Sequence, residues 1–586
     1  MASRAGAAEE PLRASSEADL KKELHRQLLA QLAMVTGGMA PNDYLQAWWS
    51  WYLNLTHEPA QQLTLLQSAF AKSLDTWQFA VQAAAGKATD TPQTVAGFSD
   101  PAWQVWPYNF LAKSYTNWAA WMQEALTAGG RAPAGDRNRM RFLTEQFLAA
   151  ASPANFLHTN PELLNKTVAE SGQNLVRGFK HWIEDAESVL TGRRSKAAQE
   201  FRVGRDVAVT PGKVVFRNRL IELIQYSPCT ENVYAEPVLI TPAWIMKYYI
   251  LDLSPRNSLV RYLVEQGHTV FMISWKNPTA VDRDLGMDDY VQLGFKDALR
   301  VVNDIVPNRK VHGVGYCIGG TLLSIGAALL GGAHDERLAS VTLLAALTDF
   351  SEPGELSVFI SPSQLQMLEA VMHRAGVLES GRMGAAFMLL RSRDLLWTPA
   401  VDTYIRGERT KTNDLMAWNA DGTRMPWRMH SEYLDRLYLE NELANGQFTV
   451  GQQTADLKSI RVPMFVVGTE TDHVAPWRSV YKARELTRSP DYTFLLTNGG
   501  HNAGIVSGPV HPKRRYRVLN WPNATDIRTA DDWQREAPLN HGSWWPEWQR
   551  WLAAHSDPQQ QSPPRLGWPG AEAPVLGDAP GTYVLE

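Results

Sequence analysis

Cysteine is nearly absent from this chain: there are two, Cys229 and Cys317, in 586 residues. That excludes a disulfide framework and fits a reducing compartment, so a cytoplasmic protein is expected. Charge of one sign is not in excess either. Lys and Arg number 57 against 61 Asp and Glu, a formal charge of −4, which gives no global reason to expect nucleic acid as a partner. No long hydrophobic run reads as a membrane span, which needs ~18 or more apolar residues. The richest uncharged stretch, Ile318 to Ala333, carries five glycines, so any lipid association would be peripheral. Met1 to Glu17 mixes Ala, Ser, Glu and Arg without the apolar centre of a secretory signal; a disordered tail is expected over 1–17.

What the chain does contain is unevenly arranged. At 586 residues it exceeds one ordinary hydrophobic core, so two domains, or one with large insertions, are expected. Leu20, Leu24, Leu28 and Leu32 recur every four residues and predict an amphipathic helix. From Asp43 to Ala80 the pattern stays helical and collects Trp48, Trp49, Trp51, Tyr52, Phe70, Trp77 and Phe79. Helical core is the plainer reading of that set, and a face for apolar partners is the other. Loops are expected at Thr91 to Gly97 and Thr127 to Asp136, both rich in Gly, Pro, Ala and Thr.

Near residue 200 the pattern changes. Short β-like runs appear at Val207 to Val209, Val214 to Phe216, Leu220 to Tyr226 and Pro237 to Ile240. Strand-like and helical stretches then alternate: helix near Ser258 to Gln266, strand at His268 to Trp275, helix near Tyr290 to Ile305, strand at Val311 to Tyr316. Further strands are expected at Val341 to Ala346, Pro463 to Gly468 and Tyr492 to Leu496. Such alternation predicts the α/β class, a mostly parallel sheet covered by helices. A mainly helical domain over 18–200 is therefore expected to precede a catalytic domain over 201–586. About 350–461 is too long for a simple connection and is expected to be a helical lid.

The chemistry centres on Val311-His-Gly-Val-Gly-Tyr, which runs into Cys317-Ile-Gly-Gly and a helix-like stretch. This is a nucleophile elbow with cysteine in the serine place: Gly315 and Gly319 are the small residues that a tight strand-to-helix turn requires. Sulfur suits a transferase. A thiolate attacking a thioester gives another thioester, so the acyl group stays activated and can pass to a hydroxyl.

Asp472 follows the expected strand Pro463 to Gly468, and His501 lies in the glycine-rich loop after Tyr492 to Leu496. The order Cys317, Asp472, His501 is that of the α/β-hydrolase triad. Singly, each residue has a plainer reading: an inert buried thiol, a capping carboxylate, a surface imidazole. Order, strand-end position and elbow glycines together favour catalysis. His473 is the rival to His501, but adjoining Asp472 directly it is poorly placed to be held by that carboxylate while reaching Cys317. Cys229 is read as structural.

Gly315-Tyr-Cys-Ile-Gly-Gly, Thr471-Asp-His-Val-Ala-Pro-Trp477 and Gly499-Gly-His-Asn-Ala-Gly-Ile505 resemble the corresponding segments of polyhydroxyalkanoate synthases. Trp244 to Leu253, Asn257 to Arg261, Gly267 to Trp275, Trp418 to Thr423, Phe98 to Trp103, Ser152 to Phe156 and Pro580 to Val584 are similar to further blocks of that family. The likeness runs from about Phe98 to Glu586 and, by length, points to the single-subunit class I synthases. Tyr316 agrees, since medium-chain members commonly carry a small residue there. Met246 departs from the family, which often has Asn at this place and so a hydrogen-bonding side chain.

The resemblance implies an (R)-3-hydroxyacyl-CoA substrate, chiefly 3-hydroxybutyryl-CoA, with polyester and CoA as products and no metal or redox cofactor. It implies that His501 takes the Cys317 proton, and that the backbone N–H groups of Ile318 and Trp244 stabilise the oxyanion. Asp472 would orient His501 or activate the attacking hydroxyl. A homodimer, a polyester granule surface and granule-associated proteins are the implied partners. Arg391, Arg393 and Lys247 are basic residues that could meet CoA phosphates, though solvation is the plainer reading of each. The competing readings are an intracellular depolymerase or thioesterase with the same triad, and a non-catalytic granule coat.

Overall fold

Strands rich in Val, Ile and Leu, buried at every position rather than at alternate ones, can only be stable with both faces covered. That is how the centre of this protein is built. A computed structural model describes residues 17–36, 38–86, 97–128, 131–191, 200–521 and 528–586. The expected tail lies outside them apart from Glu17, which begins a helix, and so does the loop at Thr91 to Gly97 apart from Gly97.

The strands are β1 Gly212–Arg217, β2 Ile221–Tyr226, β3 Val238–Thr241, β4 Val270–Trp275, β5 Val311–Tyr316, β6 Leu338–Leu344, β7 Met464–Thr469, β8 Tyr492–Thr497, β9 Arg515–Trp521, β10 Leu539–His541 and β11 Gly577–Asp578. They form an 11-stranded sheet in the order β10-β9-β8-β7-β6-β5-β3-β4-β2-β1-β11. From β8 to β4 every neighbouring pair is parallel, and the strands added at both edges are antiparallel. All residues of β5, β7 and β8 are buried.

The expectation of strand at Val207 to Val209 fails. Gly204 to Asp206 makes a turn that the Asp206 carboxylate closes by accepting from Arg202 N at 2.9 Å, leaving Val207 with a single bridge to Val203. The helix expected at Tyr290 to Ile305 is two segments, a π-helical Tyr290–Lys296 and an α-helical Asp297–Ile305. Ala298, Leu299, Val301, Val302 and Ile305 bury one face of the latter.

Among the described residues seven α-helices precede the sheet: α1 Glu17–Val35, α2 Pro41–Thr56, α3 Pro59–Ala84, α4 Tyr108–Ala128, α5 Ala134–Ala151, α6 Pro161–Ala169 and α7 Gln173–Thr191. The aromatic set on α2 and α3 is mostly surface, against the core reading. Phe79 is buried, but Trp49, Phe70 and Trp77 are 52%, 72% and 64% exposed. One face of α3 is committed to α4, through Trp121 Nε1 to Leu65 O at 3.1 Å and Lys113 to Asp75 at 2.6 Å.

Between β6 and β7 the chain rises into a set of short helices, including Pro362–Ala375, Ser380–Leu390 and Trp427–Glu432, with π-helical turns at Arg393–Trp397, Val401–Ile405 and Tyr433–Leu439. The N-terminal helices pack against this insertion. Arg406 pairs with Glu162 of α6 at 2.6 Å, Asn174 of α7 donates to Ile405 O at 2.9 Å, and Gln146 of α5 donates to Leu389 O at 2.9 Å.

Candidate active site

Cys317 sits where β5 turns into the helix Ile318–Gly332, with φ 54° and ψ −129°, a left-handed conformation costly for a residue with a side chain. The surroundings enforce it. Its N–H donates to Leu344 O at 2.9 Å. A Cβ on Gly315 would lie 2.3 Å from Gly320 Cα, and one on Gly319 would lie 2.2 Å from Thr241 O, so neither position admits a side chain. Strand and helix thus approach closely enough to lift Cys317 above the sheet edge, at a helix N-terminus whose dipole and free N–H groups favour negative charge. Ile318 supplies the first of those N–H groups.

Asp472 lies just beyond β7, and all of its acceptor capacity is directed. Oδ1 accepts from Val474 N at 2.9 Å and Ala475 N at 2.8 Å. Oδ2 accepts from Thr469 Oγ1 at 2.9 Å and from His501 Nδ1 at 2.8 Å. With Nδ1 carrying the proton, Nε2 of His501 is the basic nitrogen. It is buried, accepts from no nitrogen or oxygen donor, and has Cys317 as its neighbour, near enough to raise its titration by charge and by hydrogen bonding. Burial alone would lower His501, yet the charges of Asp472 and Cys317 and the carboxylate hydrogen bond raise it well above its ordinary value. Burial would raise Asp472, but the His501 charge and the four hydrogen bonds hold it below the usual carboxylate range.

The structure therefore brings Cys317, Asp472 and His501 together at the carboxyl ends of parallel strands, where open α/β sheets carry their sites. The Asp472 carboxylate is engaged by His501, and of the rival His473 the backbone carbonyl accepts from Glu355 N at 3.0 Å. The Trp244 ring packs among Trp275, Tyr290 and Tyr433, and its carbonyl accepts from Thr423 Oγ1 at 2.6 Å. The neighbouring Ile245 faces the cavity above Cys317. Met246 bridges Gly422 through its backbone.

Two expectations are corrected. Lys247 is buried and donates to Glu586 O at 3.1 Å and Tyr583 O at 3.4 Å, so it is a tether rather than a solvated or phosphate-binding cation. Cys229 is exposed, not packed. Arg391 and Arg393 are exposed.

A cavity of about 290 Å³ opens over Cys317 and Ile318. Leu347, Phe350, Phe359, Leu368 and Phe387 make its walls apolar, and Gly38 and Met39, between α1 and α2, close one side. Gln364 holds that segment with both ends of its amide, accepting from Ala40 N at 2.8 Å and donating to Gly38 O at 2.6 Å. Ser361 bonds the Asp43 carboxylate beside it. Sequence reasoning missed Gln364, Met39 and the cavity-lining His430. The contact of Gln364 with Gly38 spans 326 positions and leaves no periodic signal.

Sheet order, sharp turn and the His501–Asp472 pair define an enzyme of the α/β-hydrolase fold, and the family model described as α/β hydrolase fold matches residues 236–507. Residues 95–263 match the model of the poly-beta-hydroxybutyrate polymerase (PhaC) N-terminus. The chain is 40% identical over 498 residues to the poly(3-hydroxyalkanoate) polymerase of Methylorubrum extorquens, covering 84% of this chain and 81% of that one. It is 38% identical over 532 residues to the poly(3-hydroxyalkanoate) polymerase subunit PhaC of Cupriavidus necator, covering 89% and 88%. With the PhaC subunit of Rhizobium meliloti it shares 34% over 537 residues, covering 90% and 86%. The chain belongs to this PhaC polymerase family, and it is an acyltransferase.

Proposed function

We propose that the protein polymerises (R)-3-hydroxyacyl-CoA, chiefly 3-hydroxybutyryl-CoA, into polyhydroxyalkanoate with release of CoA, as a class I synthase. The supporting observation is the buried His501 Nε2 beside a cysteine on a strained elbow, at the floor of an apolar cavity. Nε2 takes the Cys317 proton and the sulfur attacks the thioester carbonyl. The oxyanion is met by the N–H of Ile318 and one from Pro242 to Trp244, and the CoA sulfur leaves with the proton from His501. A 3-hydroxyl then attacks the acyl-Cys317 thioester as His501 Nε2 takes its proton, forming the ester bond, and the Cys317 sulfur leaves with that proton. The cycle needs no metal or redox cofactor.

Residues 201–586 act in this reading as the catalytic domain, with about 350–461 as its lid and 18–200 as a helical domain. The exposed aromatic side chains of α2 and α3 serve polyester granule, granule-associated protein or second subunit. Among the described residues no helix is long and apolar enough to cross a membrane. A cytoplasmic homodimer at the granule surface is the proposed working form.

The test is to incubate the protein and its Cys317→Ala variant with (R)-3-hydroxybutyryl-CoA, following free thiol and turbid polymer together. Thiol release with polymer, lost in the variant, is the expected result. Thiol release with free 3-hydroxybutyrate alone would make the protein a thioesterase.

A further inference from the structure

Lys247 is a buried cation that the proposed cycle does not use. It is 3% exposed, and its ammonium donates to Glu586 O at 3.1 Å and Tyr583 O at 3.4 Å. A long charged side chain taken out of water gives up hydration and rotamer freedom, so its partners must hold it there. Those partners belong to residues 577–586, a strap that is itself fixed. β11 pairs with β1, the buried Glu222 carboxylate accepts from Thr582 N and Tyr583 N at 2.9 Å each, and the Tyr583 hydroxyl donates to Asn218 O at 2.7 Å.

Lys247 closes the loop that follows β3, and that loop borders the nucleophile. A Cβ on Gly319 would lie 2.5 Å from Pro242 O, and Ile245 shares the cavity wall with Cys317 and Ile318. In α/β-hydrolase sites this loop supplies the second oxyanion donor. Pro242 has no N–H, which leaves Ala243 and Trp244. Both are buried, and among the described residues neither N–H donates to a protein acceptor. Buried N–H groups are nearly always paired, so this unpaired pair beside the elbow suits a substrate oxygen.

The loop lies outside the sheet, so no ladder holds it. The insertion grips its carbonyls: Thr423 Oγ1 donates to Trp244 O at 2.6 Å, Thr423 N to Ile245 O at 3.3 Å and Trp418 Nε1 to Lys247 O at 2.7 Å. The strap grips its side chain, at Lys247. Asn277 links the two clamps, donating to Glu586 O at 3.2 Å while its Oδ1 accepts from Arg424 N at 2.9 Å.

Building on the proposed acyl transfer at Cys317, we propose that Lys247 is a positioning residue: by tying residues 242–247 to residues 583–586, it fixes the oxyanion-binding N–H groups beside the elbow. Such donors act only when aimed in advance at the developing charge, and a misplacement of ~1 Å can cost about 10²-fold in rate.

The experiment compares two reactions of one thiol. Acylation by (R)-3-hydroxybutyryl-CoA passes through an oxyanion, whereas alkylation by iodoacetamide displaces iodide from a saturated carbon and does not. Both are followed in single turnover on the Cys317 peptide by mass spectrometry, which separates it from Cys229. Lys247→Met keeps the apolar stem and removes the donors. It is expected to slow acylation by about 10- to 100-fold and to leave alkylation at the wild-type rate, while Lys247→Arg, with charge and donors kept, retains most of the acylation. Equal slowing of both reactions would reduce Lys247 to a merely structural residue and overturn the proposal, as would unchanged acylation in Lys247→Met. Should Lys247→Met fail to fold, Asn277→Ala releases Glu586 and Arg424 with Lys247 in place; a smaller split in the same direction is expected, and its absence overturns the proposal. A wild type alkylated at Cys317 but not acylated would instead remove the acyl-transfer reading on which the proposal rests.

Discussion

The floor and the roof of the cavity are built on opposite physical terms. In the floor, consecutive backbones touch: Gly315, Gly319 and Gly320 leave no room for a methyl group, and three parallel strand ends fix Cys317, Asp472 and His501. In the roof, short helices alternate with π turns, a methyl group added at Gly381 or Gly384 would meet nothing within 4 Å, and Leu395 and Leu396 are 49% and 41% exposed. The roof is fastened at separate points by side chains of the N-terminal helices. A rigid floor preserves reacting geometry, where small displacements are expensive. A roof of separately held pieces can change shape without disturbing it.

The comparison breaks most sharply at Asp472. In the proposed cycle Asp472→Asn lowers acylation by about 10²- to 10⁴-fold, since the imidazole loses its fixed tautomer. It also removes the charge that raises His501, so the His501 titration moves down. The sign for stability follows. Raised His501 stabilises the fold fully below histidine's ordinary value, an effect lost as pH rises through its raised pKa. Lowered Asp472 stabilises above the ordinary carboxylate value, an effect lost as pH falls through its lowered pKa. The variant should therefore lose the fall in stability at high pH that tracks the raised His501, read from unfolding midpoints. Acylation left intact with elongation lost would show instead that Asp472 acts on the attacking hydroxyl.

Paired glycine substitutions sharpen the contrast in stability. Gly319→Ala would force a Cβ to within 2.2 Å of Thr241 O and 2.5 Å of Pro242 O, and should cost about 3 kcal/mol or more. Gly384→Ala, in a helix with open space around it, should gain up to about 1 kcal/mol. Denaturant unfolding of both variants decides; equal effects would erase the distinction between floor and roof.

The same contrast governs what could be read in the sequence. Floor strands are largely apolar runs, and each chemical residue comes at or shortly after the end of one, so Cys317, Asp472 and His501 were legible as a set. The edge strands β9, β10 and β11 were not: Arg515-Tyr-Arg-Val-Leu-Asn-Trp begins on an exposed Arg515 and is broken by a half-buried Arg517 and an exposed Asn520, and β11 is two residues long. Roof contacts depend on pairings such as Gln364 with Gly38, which no local period announces. The aromatic set of α2 and α3 misled for a related reason. Helical spacing shows that residues share a face, but whether that face is covered depends on partners elsewhere in the chain.

Gln364→Leu gives the most local expected effect and the smallest one on global unfolding. The substitution keeps the bulk and apolar character of the cavity wall while orphaning Gly38 O and Ala40 N, at roughly 1–3 kcal/mol for a buried group left unpaired. Because the Gly38–Met39 segment touches the roof and not the sheet, that cost should appear as local opening. Amide exchange should quicken across residues 38–43, with the global unfolding midpoint nearly unchanged. Cys317 acylation by 3-hydroxybutyryl-CoA should shift less than about 10-fold, since the reacting atoms stay on the floor. Exchange unchanged across 38–43 would mean that the Asp43–Ser361 bond and the packing of Ala33, Ala40 and Met367 hold the segment without the Gln364 fork. A loss of acylation as deep as that of Asp472→Asn would mean that floor and roof are one mechanical unit.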